Sequence, residues 1–183
     1  MGIFQLFHPR DNFFLNAAAP ARLIGHSVGL MASSVCLRPA CREDARELLV
    51  WRNDPSTRAQ SRHGEEIGWD DHCRWLLRTL DDADCLLLIG TVAGQRIGMV
   101  RFNRDQPAGW WEVSIALAPS WRGRGWGGRM LAAGIGQLRK NHPGVEVLAA
   151  VRPGNGASEN LFLHAGFEAI CSDEDFAHFL LRA

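Results

Sequence analysis

One stretch constrains this chain more than any other: Arg122-Gly123-Arg124-Gly125-Trp126-Gly127-Gly128-Arg129, set between an alternating apolar run and a helical one. Glycine lets a backbone approach a ligand closely and take positive φ. Amides at a helix start carry partial positive charge and point outward, so a glycine-rich turn into a helix can seat a phosphate. Four glycines and three arginines within 118–129 suit an anion better than a plain tight turn. Gly123-x-Gly125-x-x-Gly128 also has the form of a dinucleotide fingerprint, but its context excludes that reading. The fingerprint follows the first strand of its fold, and the next strand ends in an acidic residue. Here the next strand ends in Val151-Arg152-Pro153, and the chain after Gly128 is too short for a doubly wound sheet. The Walker pattern fails as well, because no lysine and hydroxyl follow the glycines.

The bulk numbers set the frame. A chain of 183 residues that is 46% apolar and 22% charged suits one core. Twenty basic and 20 acidic residues leave a net charge of +0, so no global field draws nucleic acid. Five scattered cysteines without a Cys-x-x-Cys pair argue against both a zinc site and a disulfide framework, and for free thiols in a reducing cytoplasm. No apolar run approaches the ~18 residues of a membrane span. Residues 1–34 read as a leader: an unordered arm, a dimer contact, or a start assigned too early, since Met31 stands just before the first convincing strand. Asn16, Pro20 and Arg22 break up its apolar segments, which makes a poor signal peptide. No function is assigned to it, and a homodimer stays open.

From residue 35 the pattern is regular. Strands are expected over 35–39, 85–89, 96–102, 110–117, 145–151 and 176–181, and helices over 42–53, 69–80, 130–140 and 155–165. The stretch 56–68 is polar, and Ala93-Gly94-Gln95 is a hairpin turn. The order is a mixed α/β single domain over 35–183.

Arg122 to Gly127 fits [RQ]-x-x-G-x-[GA], and Asn155, Ser158, Phe162, Gly166 and Phe167 fit N-x-x-[SA]-x-x-x-[YF]-x-x-x-G-F, in that order with one helix and one strand between. In these two motifs the chain resembles the GNAT superfamily of N-acetyltransferases. The resemblance implies a mixed sheet splayed between its fourth and fifth strands, here 110–117 and 145–151. It implies acetyl-CoA as co-substrate and no metal. The pantetheine arm would pair with strand backbone near Leu117 and Ala118. The pyrophosphate would sit on the amides of Arg122, Gly123, Arg124, Gly125, Trp126, Gly127 and Gly128, while Asn155, Ser158 and Phe162 would line the cofactor from the following helix.

The chemistry is attack of a neutral amine on a thioester carbonyl, with a proton to be accepted and a thiolate to leave. Strand alternation puts Val113, Ile115 and Leu117 on one face, and Trp110, Glu112, Ser114 and Ala116 on the other. A carboxylate on an otherwise uncharged, half-buried face is either functional or paired, and Glu112 is the expected base, with an ion pair to an arginine as the competing reading. Many family members carry a tyrosine where Phe162 stands, as the acid that protonates the leaving thiolate. This chain has no tyrosine. Water, Ser114, Ser158 or His164 are the substitutes on offer.

The acceptor side is expected at the first helices. Trp51-Arg52-Asn53-Asp54-Pro55 and His72-x-x-Trp75-Leu76 are similar to a pattern in the GNAT branch that acetylates nucleotide-linked amino sugars of pseudaminic-acid-type pathways. A related opening occurs in acetyltransferases of ribosomal-protein N-termini. Arg52, Asn53, His72 and Trp110 are the candidate substrate-binding residues, Arg52 because guanidinium suits phosphate or carboxylate. A solvated Arg52 and a hydrogen-bonded structural His72 are the plainer readings. The acceptor is then a small-molecule amine, with an N-terminal protein acetyltransferase or a weakly catalytic acyl-CoA sensor as alternatives.

Overall fold

A computed structural model describes residues 34–106 and 108–183. The proposed leader, apart from Ser34, lies outside the described residues. Seven strands form one mixed sheet in the order β1-β2-β3-β4-β5-β7-β6. The elements in chain order are β1 (Cys36–Pro39), α1 (Ala45–Asn53), α2 (Pro55–Ala59), α3 (Trp69–Asp81), β2 (Cys85–Val92), β3 (Gln95–Arg104) and β4 (Trp111–Leu117). There follow α4 (Trp126–Asn141), β5 (Val147–Val151), α5 (Gly156–His164), β6 (Glu168–Ser172) and β7 (Ala177–Leu181). The mixed α/β fold expected from the sequence is the one observed, with one further short helix and one further strand.

Alternation sends the strand residues to two cores. Leu88, Val100, Phe102, Trp111 and Val113 face α4, whose Leu131, Ile135 and Leu138 complete that layer together with Val147, Phe162 and Phe179. Leu87, Ile89 and Met99 face the other way, toward Leu48 and Trp51 of α1 and Leu76 of α3. Gly134 lets α4 lie close to the sheet, since a Cβ there would meet Val100 at 3.0 Å and Phe102 at 3.1 Å.

Four expectations are corrected. The expected polar stretch 56–68 follows a helix start, because Asp54 caps α2 by accepting the Thr57 N–H at 3.1 Å and Pro55 occupies its first turn. Helix α4 begins at Trp126, not 130: Gly125 at φ 75° supplies the left-handed entry, and Gly127 and Gly128 form the first turn. The strand expected at Trp110 begins at Trp111, so Trp111 takes the buried face with Val113. Strand β6 was not expected, since every one of its residues is exposed and it pairs only with β7, leaving no burial pattern to read.

The sheet opens where the site lies. β3 and β4 pair antiparallel from Gly98↔Leu117 to Arg104↔Trp111. β4 and β5 run parallel and pair only at Trp111↔Val147 and Glu112↔Leu148. Beyond Glu112 the two strands diverge, which is the splay anticipated from the resemblance.

Candidate active site

A cleft of about 1520 Å³ runs from the β4–β5 gap to the space beneath α1, α2 and α3. Backbone direction fixes what the gap offers. The Trp111 N–H donates to Glu146 O on the β5 side, and the Ala118 N–H donates to Ile97 O on the β3 side. Peptide groups alternate along a strand, so those of Ile115 and Leu117 point into the gap, where no strand meets them. The Leu117 carbonyl accepts from Arg122 Nε at 3.1 Å, and the Leu117 N–H remains toward the gap. Ala118 differs from its expected role: its amide is committed to Ile97 and its side chain is buried.

At the mouth of the gap α4 starts without a capping side chain and without an acidic residue in its first turn, while Arg139 and Lys140 occupy its last turn. The N-terminal amides are thus open to an anion, and the basic C-terminal turn suits the helix dipole. Gly123 (φ 71°) and Gly125 (φ 75°) hold the turn, and a Cβ at either would meet nothing within 4 Å. Around them Arg124 lies 6.0 Å from the Trp121 ring and Arg129 lies 4.9 Å from Trp126.

The Arg122 guanidinium has a different place from its backbone. Nη2 donates to Asp54 Oδ1 at 2.8 Å and to Thr57 Oγ1 at 3.0 Å, and Nη1 donates to Ser56 Oγ. Its side chain is therefore a tie from the glycine turn to α2. Asp54 was missed as a site residue, although Asp-Pro before a helix is a readable capping signal. The Ser56 hydroxyl, then Arg122, hold the Asp54 carboxyl down at about 2.

Asn155 and Ser158 line the cleft, and Asn155 caps α5 by accepting the Ser158 N–H at 3.2 Å. Phe162 sits at the cleft wall, packed against Phe167 with ring centroids 5.1 Å apart. Ser114, Ser158 and His164 all reach the cleft. Glu112 does too, on the face toward α1 and α3, with Oε1 2.8 Å from Arg62 Nη2. Both groups are partly exposed, at 34% and 49%, so solvent weakens the pair and leaves it exchangeable. Arg62 also lies 4.6 Å from the Phe176 ring, and Arg152 Nε fixes its loop through Ser61 O at 2.9 Å.

The expected acceptor residues divide. Arg52 lines the cleft and donates to His63 O, while its Nη1 is buried without a partner. His72 lines the deep wall at 2% exposure, with Nε2 2.9 Å from Ala45 O, and burial lowers its basicity against that hydrogen bond. Asn53 does not line the cleft: its amide clamps Ile67 in both directions, at 2.8 and 2.9 Å. Trp110 does not line it either, because it precedes β4 rather than extending its open face. Trp51 and Trp75 supply the aromatic wall instead. Among the described residues no group of three or more His, Cys, Asp or Glu side chains could hold a metal ion, and no helix is long and apolar enough to cross a membrane.

A parallel strand pair that parts to leave free peptide groups, with an uncapped glycine-rich helix start at its mouth, defines an acyltransferase architecture. Residues 34–168 match the acetyltransferase (GNAT) domain, and the chain belongs to that family. Its fold is similar to that of spermidine N-acetyltransferase from Vibrio cholerae in complex with CoA and spermine, at 15% identity and a TM-score of 0.74 over 81% of this chain and 95% of that one. It is also similar to AAC(6')-Ib in complex with ribostamycin and coenzyme A (19% identity, TM-score 0.71, 81% and 93% covered). The acetyltransferase of GNAT family from Streptococcus pneumoniae aligns at 18% identity and a TM-score of 0.68, over 81% and 99%. No curated protein matches the sequence.

Proposed function

We propose that the chain transfers an acetyl group from acetyl-CoA to a primary amine held beneath α1–α3, with Glu112 as the base. The observation that carries this reading is the continuity of the cleft: one hollow joins the uncapped start of α4, the β4–β5 gap and Glu112. The residues fit such a donor. Open amides and Arg124 and Arg129 beside the turn suit a pyrophosphate, and the free peptide group of Ile115 suits an amide-bearing arm. When bound, acetyl-CoA would supply the acetyl group as an activated thioester. The Leu117 N–H points toward the gap as a donor to a carbonyl oxygen. Glu112 accepts the amine proton, directly or through a water, its solvent-exposed pair with Arg62 being free to exchange for the incoming amine. No tyrosine stands at Phe162, so protonation of the leaving sulfur falls to water or to the hydroxyl of Ser114 or Ser158.

For the acceptor the reading is a nucleotide-linked amino sugar. The Trp51–Pro55 and His72–Trp75 pattern supports it, and so does the excess of guanidinium groups over carboxylates along the cleft. Two further arginines of this region, Arg58 and Arg62, are engaged within the protein, Arg58 with Gly64 O and Glu66 and Arg62 with Glu112. A reducing cytoplasm suits the five unpaired thiols. The test is thiol release from acetyl-CoA with a nucleotide-linked amino sugar, an Ala-initiated peptide and spermine in competition. A higher kcat/KM for the peptide or for spermine rejects the sugar reading, and release with none of a wide amine panel rejects the enzyme reading.

A further inference from the structure

We infer that Arg101, together with Arg52, forms a subsite for an oxyanion carried by the amine acceptor, a phosphate or a carboxylate. This rests on the reading that the acceptor lies beneath α1–α3. Six arginines line the cleft, Arg52, Arg62, Arg101, Arg122, Arg139 and Arg152, against the carboxylates Glu65 and Glu112. Most are accounted for within the protein. Arg62 pairs with Glu112, Arg122 with Asp54, Arg152 with the carbonyls of Ser61 and Arg62, and Arg139 with the carbonyl of Arg182.

Arg101 is the exception. Among the described residues it makes no side-chain hydrogen bond and no ion pair, and its Nε is buried without a partner. Its guanidinium lies over the Trp75 ring, 5.6 Å from the centroid, which holds the plane in one orientation. Arg52 repeats the condition, with Nη1 buried and unpartnered and Nη2 on His63 O. A buried donor on a charged group that is left unpaired is costly, and each such case asks for a missing partner. Arg139 Nε is a third such case along the cleft, but it belongs to α4, where Nη2 of the same guanidinium is held by the carbonyls of Val145 and Arg182; the two at the acceptor side, Arg52 and Arg101, ask for the same kind of partner, an oxygen anion. A polyamine would add positive charge where it is already in excess.

The register places this subsite relative to the chemistry. Arg101 stands opposite Ser114, and Glu112 stands opposite Asn103, so Arg101 and Glu112 are diagonal neighbours on one face. Such neighbours lie about 7–8 Å apart. An acceptor whose amine meets Glu112 therefore has Arg101 on the same face to take an anionic group, which an amino-sugar phosphate or a short amino acid supplies and a diamine does not.

The experiment is a thermal-shift titration of the full chain, with and without saturating CoA, using inorganic phosphate, malonate and spermine as probes. Saturable stabilisation by phosphate or by malonate is expected with CoA present, and none by spermine; the two anions distinguish a phosphate from a carboxylate acceptor. Arg101→Gln is expected to weaken the anion about 10- to 100-fold, as charge-assisted bonds would, with CoA affinity unchanged, and Arg101→Lys to recover part of the loss. Arg52→Gln provides the same test should Arg101→Gln not fold. Failure of CoA to stabilise the protein counts against the acetyltransferase site, whatever the anions do. Absence of saturable anion binding in the wild type, or equal affinity in both folded glutamine variants, overturns the subsite.

Discussion

Asp54 joins two segments that stand far apart in sequence, and its removal can be worked through from the geometry. Its carboxylate caps α2 through the Thr57 N–H at 3.1 Å, accepts from Ser56 Oγ at 2.7 Å, and accepts from Arg122 Nη2 at 2.8 Å. Loss of a cap costs about 1 kcal/mol. The ion pair is 18% exposed on the Asp54 side and 34% on the Arg122 side, so it belongs near the top of the range for solvent-accessible pairs, about 1 kcal/mol. Asp54→Asn retains a capping oxygen and loses the charge, so it should cost about 1 kcal/mol, and Asp54→Ala about 2 kcal/mol. For a domain of this size those values correspond to Tm losses of about 2–4 °C and 4–8 °C. Asp54 also holds the side chain that orients the glycine turn, so KM for acetyl-CoA should rise in Asp54→Ala. Denaturation of Asp54→Ala, Arg122→Ala and the double variant should give a coupling of about 1 kcal/mol. Additive losses would refute the tie. Because Asp54 is held at about 2, its contribution is complete above the ordinary carboxylate range and fades as pH falls from there toward 2. That acid slope should be shallower in Asp54→Asn.

Glu112→Gln should lower kcat by about 10²–10⁴-fold with acetyl-CoA affinity retained; a wild-type kcat in steady-state assays removes Glu112 as the base. Gly125→Ala puts a Cβ at φ 75° into open space, so the fold should lose only about 1–2 kcal/mol of left-handed strain, while CoA-dependent stabilisation should fall well beyond that in a thermal-shift titration. Asp44 is fully buried, and although burial would raise its carboxyl, the Arg38 bonds at 2.6 and 2.7 Å and the Cys41 amide hold it well below the usual range. Asp44→Asn should cost about 1.5–3 kcal/mol in urea unfolding at neutral pH, since the arginines it binds, Arg38 and Arg96, keep contact with water. Asp44 contributes above the ordinary carboxylate range and is lost in acid, so the deficit of the variant should narrow as pH falls.

Much of this fold is legible in the chain because burial writes a period into it. Val113 against Glu112 alternates as a half-buried strand must, while Leu87, Leu88 and Ile89 run apolar without a break because both faces of β2 are buried. The glycine turn is legible because positive φ leaves glycine as its signature. Strand β6 is not, since all of its residues face solvent and pairing with β7 alone holds it. The site is legible in part. Glu112 stands out as a charge on an uncharged face, yet its partner Arg62 is 50 residues away in sequence, and local spacing contains no trace of it. Arg101 is hidden for a related reason: on a strand it reads as a solvated edge residue, and only the packing of α3 over β3 turns it toward Trp75. Asn53 misleads because an amide that clamps a loop and one that grips a substrate look alike in sequence.

The two rungs between β4 and β5 give the sheet a seam. Seven residue pairs join β3 to β4, but only Trp111↔Val147 and Glu112↔Leu148 join the two halves through backbone. Such a seam is a natural boundary between cooperative units, and amides on the weaker side exchange by opening at it. A ligand that lies along the gap and contacts both edges serves as the missing rungs and must leave before the seam opens. At 100 times its Kd such a ligand adds about 2.7 kcal/mol to that opening. Protection of β5 and β7 against exchange and proteolysis would then follow the concentration of free ligand, making the lifetime of the C-terminal half a readout of acyl-CoA supply.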